Sequence, residues 1–540
     1  MTTDTQHMTC EHKRWLRTRK VAVTAGGLLI AMLIAVAGFS AREDVSHPVT
    51  LDAASMKPVG RVSDRFLSYN VEMVEITGGR FWRPYKDGKR EGDDRYEYRS
   101  PLDLSDQRLT QLAAALGPAY VRISGTWANA TYFDATNTLT EAPAGFDSVL
   151  SAEQWQAAAD FTRRVDGKIV TSFATSPGAR DEQGVWQPEF QAEPWLEFSK
   201  SIGVDIAAAE FANEPETVEL TQAPEGYTPE NYRRDYSRFY EWLREASPST
   251  AILAPGAAEL GEPNQFLRKW ASGLTVFDRE DLLTRNEPKP DAVSFHFYGS
   301  GSERCGKIPV IGFGKEDALS NRWLALIDKA IATTRRLRDQ VAADAPLWIT
   351  ETGETACGGN PWAATFTDVF RFTDQLARSA RQGVQVYMHN TLAASDYGLV
   401  DDVTHNPRPN YWAALLWRNF MGTQVLNAGN ESGSLHLYAH CLRDQSNGVA
   451  VLAINLDQER SRAVQMPAAA QRYTLTQGGS PDEAMLNGKV LQLGADNQLP
   501  VLSGVAVVAG DLHLLPASIN YLVFPEAGNG ACQTVPEPSD

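Results

Sequence analysis

The sequence of 540 residues has little positive charge: 50 Lys and Arg residues stand against 67 Asp and Glu residues, and the formal net charge is −17. A protein that binds nucleic acid needs a basic face for the phosphates, so this deficit argues against a nucleic-acid partner. The nine His residues are scattered and lack the spacing of metal ligands, so neither a metal nor another cofactor is predicted.

Cysteine is scarce as well, with five residues in the chain. Cys10 lies apart from the others, near the N-terminus. The other four, Cys305, Cys357, Cys441 and Cys532, are an even set, which is typical of disulfides in an oxidising compartment. Four cysteines allow three pairings, and their positions alone do not choose between them. Four buried free thiols are the alternative.

One long apolar run lies near the N-terminus, from Val21 to Phe39, and a basic stretch precedes it. Its length is between that of a signal-peptide core and that of a membrane span. Residues 1–41 are therefore predicted to be a cytoplasmic basic segment followed by a signal peptide, cleaved near Ala35–Ala37, or by an uncleaved membrane anchor. In both cases the folded part is expected to be exported, to the periplasm or the medium.

Strand-like and helix-like stretches alternate after this segment, which is typical of parallel β/α units. The predicted fold class is α/β, with a (β/α)8 TIM barrel over residues 63–421. Its eight strands are expected at 66–73, 119–123, 168–175, 206–211, 251–255, 291–298, 346–351 and 384–391. Its helices are expected at 102–116, 154–165, 195–202, 231–246, 264–272, 318–341 and 363–382.

The pattern changes after about Gly422, where short strands are separated by Gly, Asn, Asp and Pro, and helical periodicity is absent. Residues 422–540 are therefore predicted to form an antiparallel β-sandwich. Residues 42–62, with one strand from Val49 to Val59, are predicted to join this sandwich.

The stretch Asp205–Glu216 (DIAAAEFANEPE) passes from small and apolar residues into Asn213, Glu214 and Pro215. Proline biases the residue before it to an extended shape, so the strand ends at a defined place. Glu214 is therefore expected at the carboxyl end of a buried strand, where parallel barrels keep their catalytic groups. Taken alone, the motif fits an ordinary salt-bridged glutamate equally well.

A second apolar strand, PLWITETG over 346–353, ends in Glu351, which is 137 residues (351 − 214) after Glu214. That distance leaves room for three strand–helix units of about 40 residues each. Two glutamates at nearby strand ends are the pair that a glycosidase uses: one protonates the leaving oxygen, and the other attacks the anomeric carbon or activates water. Glu354 is a rival to Glu351 as the attacking group.

Five stretches of the chain, in this order and spacing, resemble the heparanase-like β-glucuronidases of glycoside hydrolase family 79. The resemblance extends from about residue 49 to residue 532. Thr126 lies 88 residues (214 − 126) before Glu214, without the long spacer of the mammalian members, which resembles a bacterial, single-chain type. The stretches are Tyr120–Thr126 (YVRISGT), Glu210–Pro215 (EFANEP), Leu347–Thr352 with Ala356–Gly359 (LWITET, ACGG), Tyr397–Asp401 with Pro409–Trp412 (YGLVD, PNYW) and Gly448–Leu456 (GVAVLAINL).

The resemblance implies a retaining exo- or endo-β-glucuronidase, with Glu214 as the protonated acid/base and Glu351 as the ionised nucleophile. Asn213 is expected to bind the 2-hydroxyl of the sugar. The backbone amides of Gly358 and Gly359 are expected to bind the carboxylate of the uronate. The remaining residues expected at the sugar subsite are Asn70, in place of an aspartate of the family, and Thr126, His296, Tyr298 and Tyr397.

The resemblance also implies a disulfide between Cys441 and Cys532 within the sandwich. Cys305 and Cys357 then lie on the loops after the sixth and seventh barrel strands. These loops are neighbours at one face of a barrel, so this second pair is expected to brace the loop that follows Glu351.

Two other functions fit the same sequence. A retaining β-xylosidase or arabinosidase would use the same two glutamates, but the amides of Gly358 and Gly359 matter only for a carboxylated sugar. A non-catalytic surface protein that binds polysaccharide would need neither Glu214 nor Glu351. The predicted partner is therefore an oligosaccharide or polysaccharide that contains uronate, and the oligomeric state is left open.

Overall fold

A computed structural model describes residues 48–85, 92–259, 275–283, 288–305, 313–429 and 433–533. The predicted export segment over residues 1–41, with Cys10, and the predicted helix over 264–272 lie outside these residues. Within the described part of the chain, no helix has the length and apolar character needed to span a bilayer.

The described residues form 24 strands and ten α-helices. The strands are β1 (Val49–Thr50), β2 (Pro58–Arg61), β3 (Leu67–Glu72), β4 (Gly79–Trp82), β5 (Tyr96–Arg99), β6 (Ala119–Ser124), β7 (Thr131–Asp134), β8 (Ser148–Ser151), β9 (Gly167–Ser172), β10 (Ile206–Glu210), β11 (Ala251–Glu259), β12 (Ala292–Phe297), β13 (Leu347–Thr352), β14 (Val384–His389), β15 (Met421–Leu426), β16 (Leu435–Leu442), β17 (Val449–Asn455), β18 (Arg462–Met466), β19 (Ala470–Gln477), β20 (Ala484–Leu486), β21 (Lys489–Val490), β22 (Val505–Val507), β23 (Gly510–Leu514) and β24 (Ser518–Phe524). The helices are α1 (Met73–Thr77), α2 (Gln107–Ala114), α3 (Ala152–Arg164), α4 (Ala192–Ser201), α5 (Pro229–Ala246), α6 (Arg279–Leu282), α7 (Asn321–Leu324), α8 (Leu326–Val341), α9 (Phe366–Arg381) and α10 (Pro409–Phe420).

Eight parallel strands close into a barrel in the order β10-β11-β12-β13-β14-β3-β6-β9. They correspond to the eight strands expected from the sequence, so the predicted α/β barrel is confirmed. Strands β3, β12 and β13 are buried along their whole length. Parallel strands covered on both faces read as continuous apolar runs, which is why the sequence locates them well.

Two predicted elements are interrupted in the structure. The strand expected over 49–59 is split into β1 and β2 by a turn in which the amide of Ser55 donates to the carbonyl of Asp52. The helix expected over 318–341 is split at Ala325 into α7 and α8, with Ser320 capping the first piece. The hairpin β4–β5 and helix α10 were not predicted at all.

The C-terminal strands form two sheets, which confirms the predicted antiparallel domain after the barrel. One sheet has nine strands, in the order β2-β15-β16-β17-β24-β19-β20-β21, with β22 against β19, and every strand pair in it is antiparallel. The other sheet has three strands, β1-β18-β23. Alternate residues of β17 are buried in two different cores, one within the sandwich and one shared with the barrel. This explains the unbroken apolar run of β17. Cys441 and Cys532 form a disulfide in this domain.

Candidate active site

The barrel interior is apolar at one level and polar at the next. The apolar level is formed by Val170, Ala208, Leu253, Ala292, Trp348, Val386 and Met388. Side chains alternate along a strand, so residues two positions further on point to the same side. Two positions after Ala208 and Trp348, towards the carboxyl ends of the strands, lie the buried polar residues Glu210 and Thr350.

Arg122 is the centre of the polar level, and its side chain is fully buried. Its Nε and Nη2 donate to Oε2 of Glu210 at 3.1 and 2.9 Å. Its Nη1 donates to Oε2 of Glu351 at 3.1 Å, and Nη2 also donates to Oδ1 of Asn213 at 2.8 Å. Burial alone would raise the pKa of Glu210, but the positive charge of Arg122 holds that pKa below its ordinary value. The site is therefore built above a fixed ion pair.

An irregularity in strand β13 directs Glu351 to the site. Phe295 on β12 pairs with Ile349, but the next residue of β12, His296, pairs with Glu351, so Thr350 is an extra residue. Such a bulge changes the direction in which side chains point. Thr350 donates its hydroxyl to Oε1 of Glu210 at 2.8 Å, and Glu351 still reaches Arg122. Regular alternation would place these adjacent side chains on opposite faces.

Glu214 lies on the loop after β10 and has φ 49°, an uncommon value for a residue other than glycine. Its amide donates to the carbonyl of Gly256 at 3.1 Å. Gly256 has φ 66°, and a Cβ there would lie 2.8 Å from Oε1 of Glu210. A glycine is therefore needed at position 256 for the backbone that holds Glu214 to pass over the buried Glu210.

His296 joins the two glutamates. Its Nδ1 is 3.3 Å from Oε1 of Glu214 and 3.6 Å from Oε2 of Glu351. Nη2 of Arg122 is 3.3 Å from Nε2 of His296. Since a guanidinium only donates, Nε2 accepts, and the proton of the neutral ring lies on Nδ1, towards the carboxylates. Burial lowers the pKa of His296, which favours this neutral form.

The distance between the two glutamates indicates which displacement they can perform. One carboxylate oxygen of each glutamate and a ring nitrogen of His296 all lie within 4.8 Å of one another. Retaining glycosidases hold their two carboxyl groups about 5 Å apart, whereas inverting enzymes leave roughly 6.5 to 9.5 Å for a water molecule. The pair therefore has the spacing of a double displacement.

Two other predicted site residues, Tyr298 and Tyr397, lie beside Glu351. Tyr298 donates its hydroxyl to Oε1 of Glu351 at 2.7 Å, and its ring stacks on that of Tyr397 with centroids 6.4 Å apart. Nδ2 of Asn390 donates to the hydroxyls of Tyr298 and Tyr397 at 3.0 and 3.1 Å. Thr126 begins a short 3₁₀ turn after β6 and is partly exposed. These contacts hold Tyr298 against the carboxylate.

Gly358 and Gly359 lie in the loop after β13 with φ 82° and 84°. Their carbonyls accept hydrogen bonds from the amide of Asp396 at 3.1 Å and from the hydroxyl of Ser302 at 2.7 Å. Neither glycine amide donates to a residue in the described ranges. The carbonyls are thus engaged by the surrounding protein, while the two amides are left to bind an acceptor such as a carboxylate.

A disulfide between Cys305 and Cys357 ties the glycine loop to the loop after β12. Arg304 is buried beside it and donates to the carbonyl of Arg83 at 2.7 Å, and it also forms an ion pair with Asp396. The glycine loop is therefore held covalently on one side and by buried charge on the other.

Asn70, which is predicted to line the subsite, is buried in β3. Its Nδ2 donates to the carbonyl of Thr350 at 3.2 Å, within the barrel. Glu72, two residues further along β3, ends the strand. Burial and then the negative charge of Glu351 raise the pKa of Glu72 well above its ordinary value. Glu72 is therefore a carboxyl group of β3 that interacts with Glu351, and it is a further candidate for the subsite beside Asn70.

Glu354, the rival to Glu351, has a different surrounding. Its Oε2 accepts from the amide of Asn360 and from the hydroxyl of Thr355, both at 2.8 Å. Its side chain therefore holds the loop in shape.

Sequence reasoning missed Arg122, Glu210 and Glu72 as parts of the site. The available signal was a charged residue within or at the end of each of three predicted barrel strands, β6, β10 and β3.

No protein-family model matches the chain. Among curated proteins, heparanase-like protein 1 of Arabidopsis thaliana is 24% identical over 498 residues, which cover 80% of this chain and 86% of the relative. The heparanase of Mus musculus is 24% identical over 563 residues, which cover 92% and 96%. Baicalin-β-D-glucuronidase of Scutellaria baicalensis is 27% identical over 326 residues, which cover 56% of each chain.

Among solved structures, a 4-O-α-L-rhamnosyl-β-D-glucuronidase from Fusarium oxysporum 12S has a TM-score of 0.61 at 13% identity and covers 88% of this chain and 100% of its own. A GH51 arabinofuranosidase from Xanthomonas axonopodis pv. citri has a TM-score of 0.58 at 16% identity and covers 87% and 98%. These two similarities show the shared fold. The sequence similarities confirm the predicted resemblance to the heparanase-like β-glucuronidases.

Proposed function

We propose that the protein is a retaining glycoside hydrolase that cleaves β-linked glucuronic acid by double displacement. The observation that carries the proposal is the pair Glu214 and Glu351, whose carboxylate oxygens approach within 4.8 Å at the carboxyl ends of barrel strands. The similar curated proteins include a heparanase, a heparanase-like protein and a β-D-glucuronidase. These similarities support glucuronic acid as the sugar.

In the first step Glu351 attacks the anomeric carbon, and Glu214 gives its proton to the leaving oxygen. Arg122 and Tyr298 both donate to Glu351 and so hold its carboxylate in place before the attack. In the second step Glu214 removes a proton from water, which attacks the glycosyl–Glu351 ester and releases the sugar with its original anomeric configuration.

Asn213 is oriented for the sugar by Arg122. Its Oδ1 accepts from the guanidinium, so its Nδ2 is the group that can donate to the 2-hydroxyl. A hydrogen bond to this hydroxyl strengthens in the transition state. The amides of Gly358 and Gly359 bind the uronate carboxylate without a basic side chain, which suits a chain of net charge −17.

The folded part works outside the cytoplasm, as its two disulfides support. The apolar run Val21–Phe39 exports it, either as a cleaved signal peptide or as a retained anchor. The N-terminal sequence of the protein recovered from cells distinguishes these two forms.

The direct test is hydrolysis of an aryl β-D-glucuronide, with the aryl β-D-xyloside as control. Wild type is compared with Glu351→Gln and Glu354→Gln, and the anomer released first is identified by NMR. We expect release of the β-anomer, a loss of kcat of roughly 10⁴-fold in Glu351→Gln, and near wild-type activity in Glu354→Gln. Cleavage of the xyloside in preference would refute the choice of sugar, and first release of the α-anomer would refute the mechanism.

A further inference from the structure

A two-stranded hairpin, β4–β5, lies over the carboxyl end of the barrel. The residues just after β4 hold it to the loops that surround the site. Arg304 donates to the carbonyl of Arg83 at 2.7 Å, and its guanidinium lies 4.1 Å above the ring of Tyr85. The amide of Tyr85 donates to Oδ1 of Asp396 at 3.3 Å, and its hydroxyl lies 2.8 Å from that of Ser302. The hairpin is therefore a fixed part of the site.

Trp82, at the end of β4, lies against the glycine loop. A Cβ at Gly358 would be 2.7 Å from Cγ of Trp82, so the indole packs directly on the glycine. Tyr96 stacks on the outer side of Trp82 with centroids 4.7 Å apart, and Trp127 meets it edge-on at 6.4 Å. Phe81 is buried beneath and packs on Trp127 at 4.7 Å. Trp82 itself is only partly buried.

The position of Trp82 relative to the sugar follows from the geometry of a pyranose ring. C1 must lie between Glu351 and Glu214, and the carboxylate on C5 must reach Gly358 and Gly359. C4 is the neighbour of C5 and lies across the ring from C1. The residue that covers Gly358 therefore covers the C4 edge, where the preceding sugar of a longer chain would be attached.

We propose that the β4–β5 hairpin makes the protein exo-acting: Trp82 closes the cleft at C4, and only a glucuronate at the non-reducing end of a chain fits. This inference rests on the proposed function, since it presupposes that the site binds glucuronate. The leaving group lies on the other side, at Glu214, so the proposal restricts the 4-position of the sugar and leaves the aglycone free to vary.

The first test compares two small substrates, an aryl β-D-glucuronide and the same compound methylated at O4. We expect kcat/KM of wild type to be roughly 10- to 200-fold lower for the methylated substrate, the usual effect of one misplaced carbon in a tight pocket. Trp82→Ala should reduce the ratio of the two kcat/KM values, unmethylated over methylated, severalfold or more. Tyr98→Ala is the matched control, because Tyr98 is on the same hairpin and 72% exposed, and it should leave the ratio unchanged. Equal rates of wild type on both substrates would overturn the proposal.

The second test needs no variant. Wild type is given two oligosaccharides of alternating β-linked glucuronate and N-acetylglucosamine, one ending in glucuronate at its non-reducing end and one capped there by N-acetylglucosamine. We expect free glucuronate from the first and no cleavage of the second. Internal cleavage of the capped chain, while the aryl glucuronide is hydrolysed, would refute the exo inference alone. Failure to hydrolyse the aryl glucuronide would refute the proposed function and this inference with it.

Discussion

The barrel interior has an apolar half and a charged half, and the same strands build both. Strand β10 contributes Ala208 to the apolar half and Glu210 to the charged half, and β13 contributes Trp348 and Thr350 in the same way. The apolar half stabilises the fold simply by removing its surface from water, at about 25 cal/mol per Å². The charged half removes ions from water, which costs free energy unless every charge is paired.

The difference shows that the free-energy cost of the active site falls on the charged half of the barrel. Arg122 has three acceptors among Glu210, Glu351 and Asn213, and Glu210 has a second donor in Thr350. This network replaces water around the buried charges and fixes the position of Glu351 before a substrate arrives. The apolar half needs no such network of partners, because hydrophobic contacts do not depend on direction. The two halves should therefore respond in opposite ways to substitution.

The largest effect is expected for Arg122→Met, which removes the centre of the charged half. Two buried carboxylates then lose their partner, so we expect a loss of about 3 to 5 kcal/mol in unfolding free energy and a fall in kcat of roughly 10³-fold. Urea unfolding and aryl glucuronide hydrolysis measure the two effects. The double variant Arg122→Met/Glu210→Gln should regain part of the stability but none of the rate. If Arg122→Met had the unfolding free energy of wild type, the buried carboxylates would not depend on Arg122.

In the apolar half, Leu253→Ala should lower stability and leave activity unchanged. Leu253 is fully buried among apolar neighbours, so the cavity should cost about 2 to 5 kcal/mol. We expect kcat and KM to stay at the wild-type values at temperatures where the variant is folded. A fall in kcat comparable to that of Arg122→Met would mean that the two halves are not independent.

Tyr298→Phe removes a single hydroxyl from the charged half. Glu351 then loses the donor at 2.7 Å but keeps Arg122. We expect kcat to fall by roughly 10²-fold with little change in KM, and stability to change by no more than about 1.5 kcal/mol. If KM rises while kcat is unchanged, the hydroxyl serves substrate binding instead.

The smallest effect concerns pH and Glu354, a buried carboxyl outside the reacting pair. Burial, followed by the negative charge of Asp368, raises the pKa of Glu354 to about 7. The folded protein therefore binds a proton that the unfolded chain releases above its ordinary pKa of about 4.5. This contribution to stability is complete below that value and is lost as the pH rises through 7. The Tm of Glu354→Gln relative to wild type should accordingly rise by about 2 °C or more between pH 5 and pH 8. A constant difference would contradict the raised pKa.

Much of the barrel could be predicted because its signal is local. Buried parallel strands such as β12 and β13 are short apolar runs between polar turns, and this pattern is visible without any neighbour in space. Glu214 and Glu351 were predicted as a pair for the same reason, since each lies at or shortly after the end of such a run; in the structure Glu351 is within β13, and Glu214 follows β10 by four residues. The hairpin β4–β5 was missed because its partly exposed strands are short and carry alternating aromatic and charged residues, and its contacts are made with loops far away in the chain.

The sequence by itself located the barrel strands, the two glutamates and the glycine loop, because apolar runs and adjacent glycines act on their own backbone. It did not give the backbone of Glu214, which has φ 49° where Pro215 predicted an extended shape. Only the tertiary structure decided that Arg122 lies between Glu210 and Glu351, that Glu72 interacts with Glu351, and that Trp82 covers Gly358. Each of these facts is a contact between residues distant in the chain. Such contacts depend on barrel closure, on the bulge in β13 and on the balance of buried charge, and none of these is encoded within a single stretch of sequence.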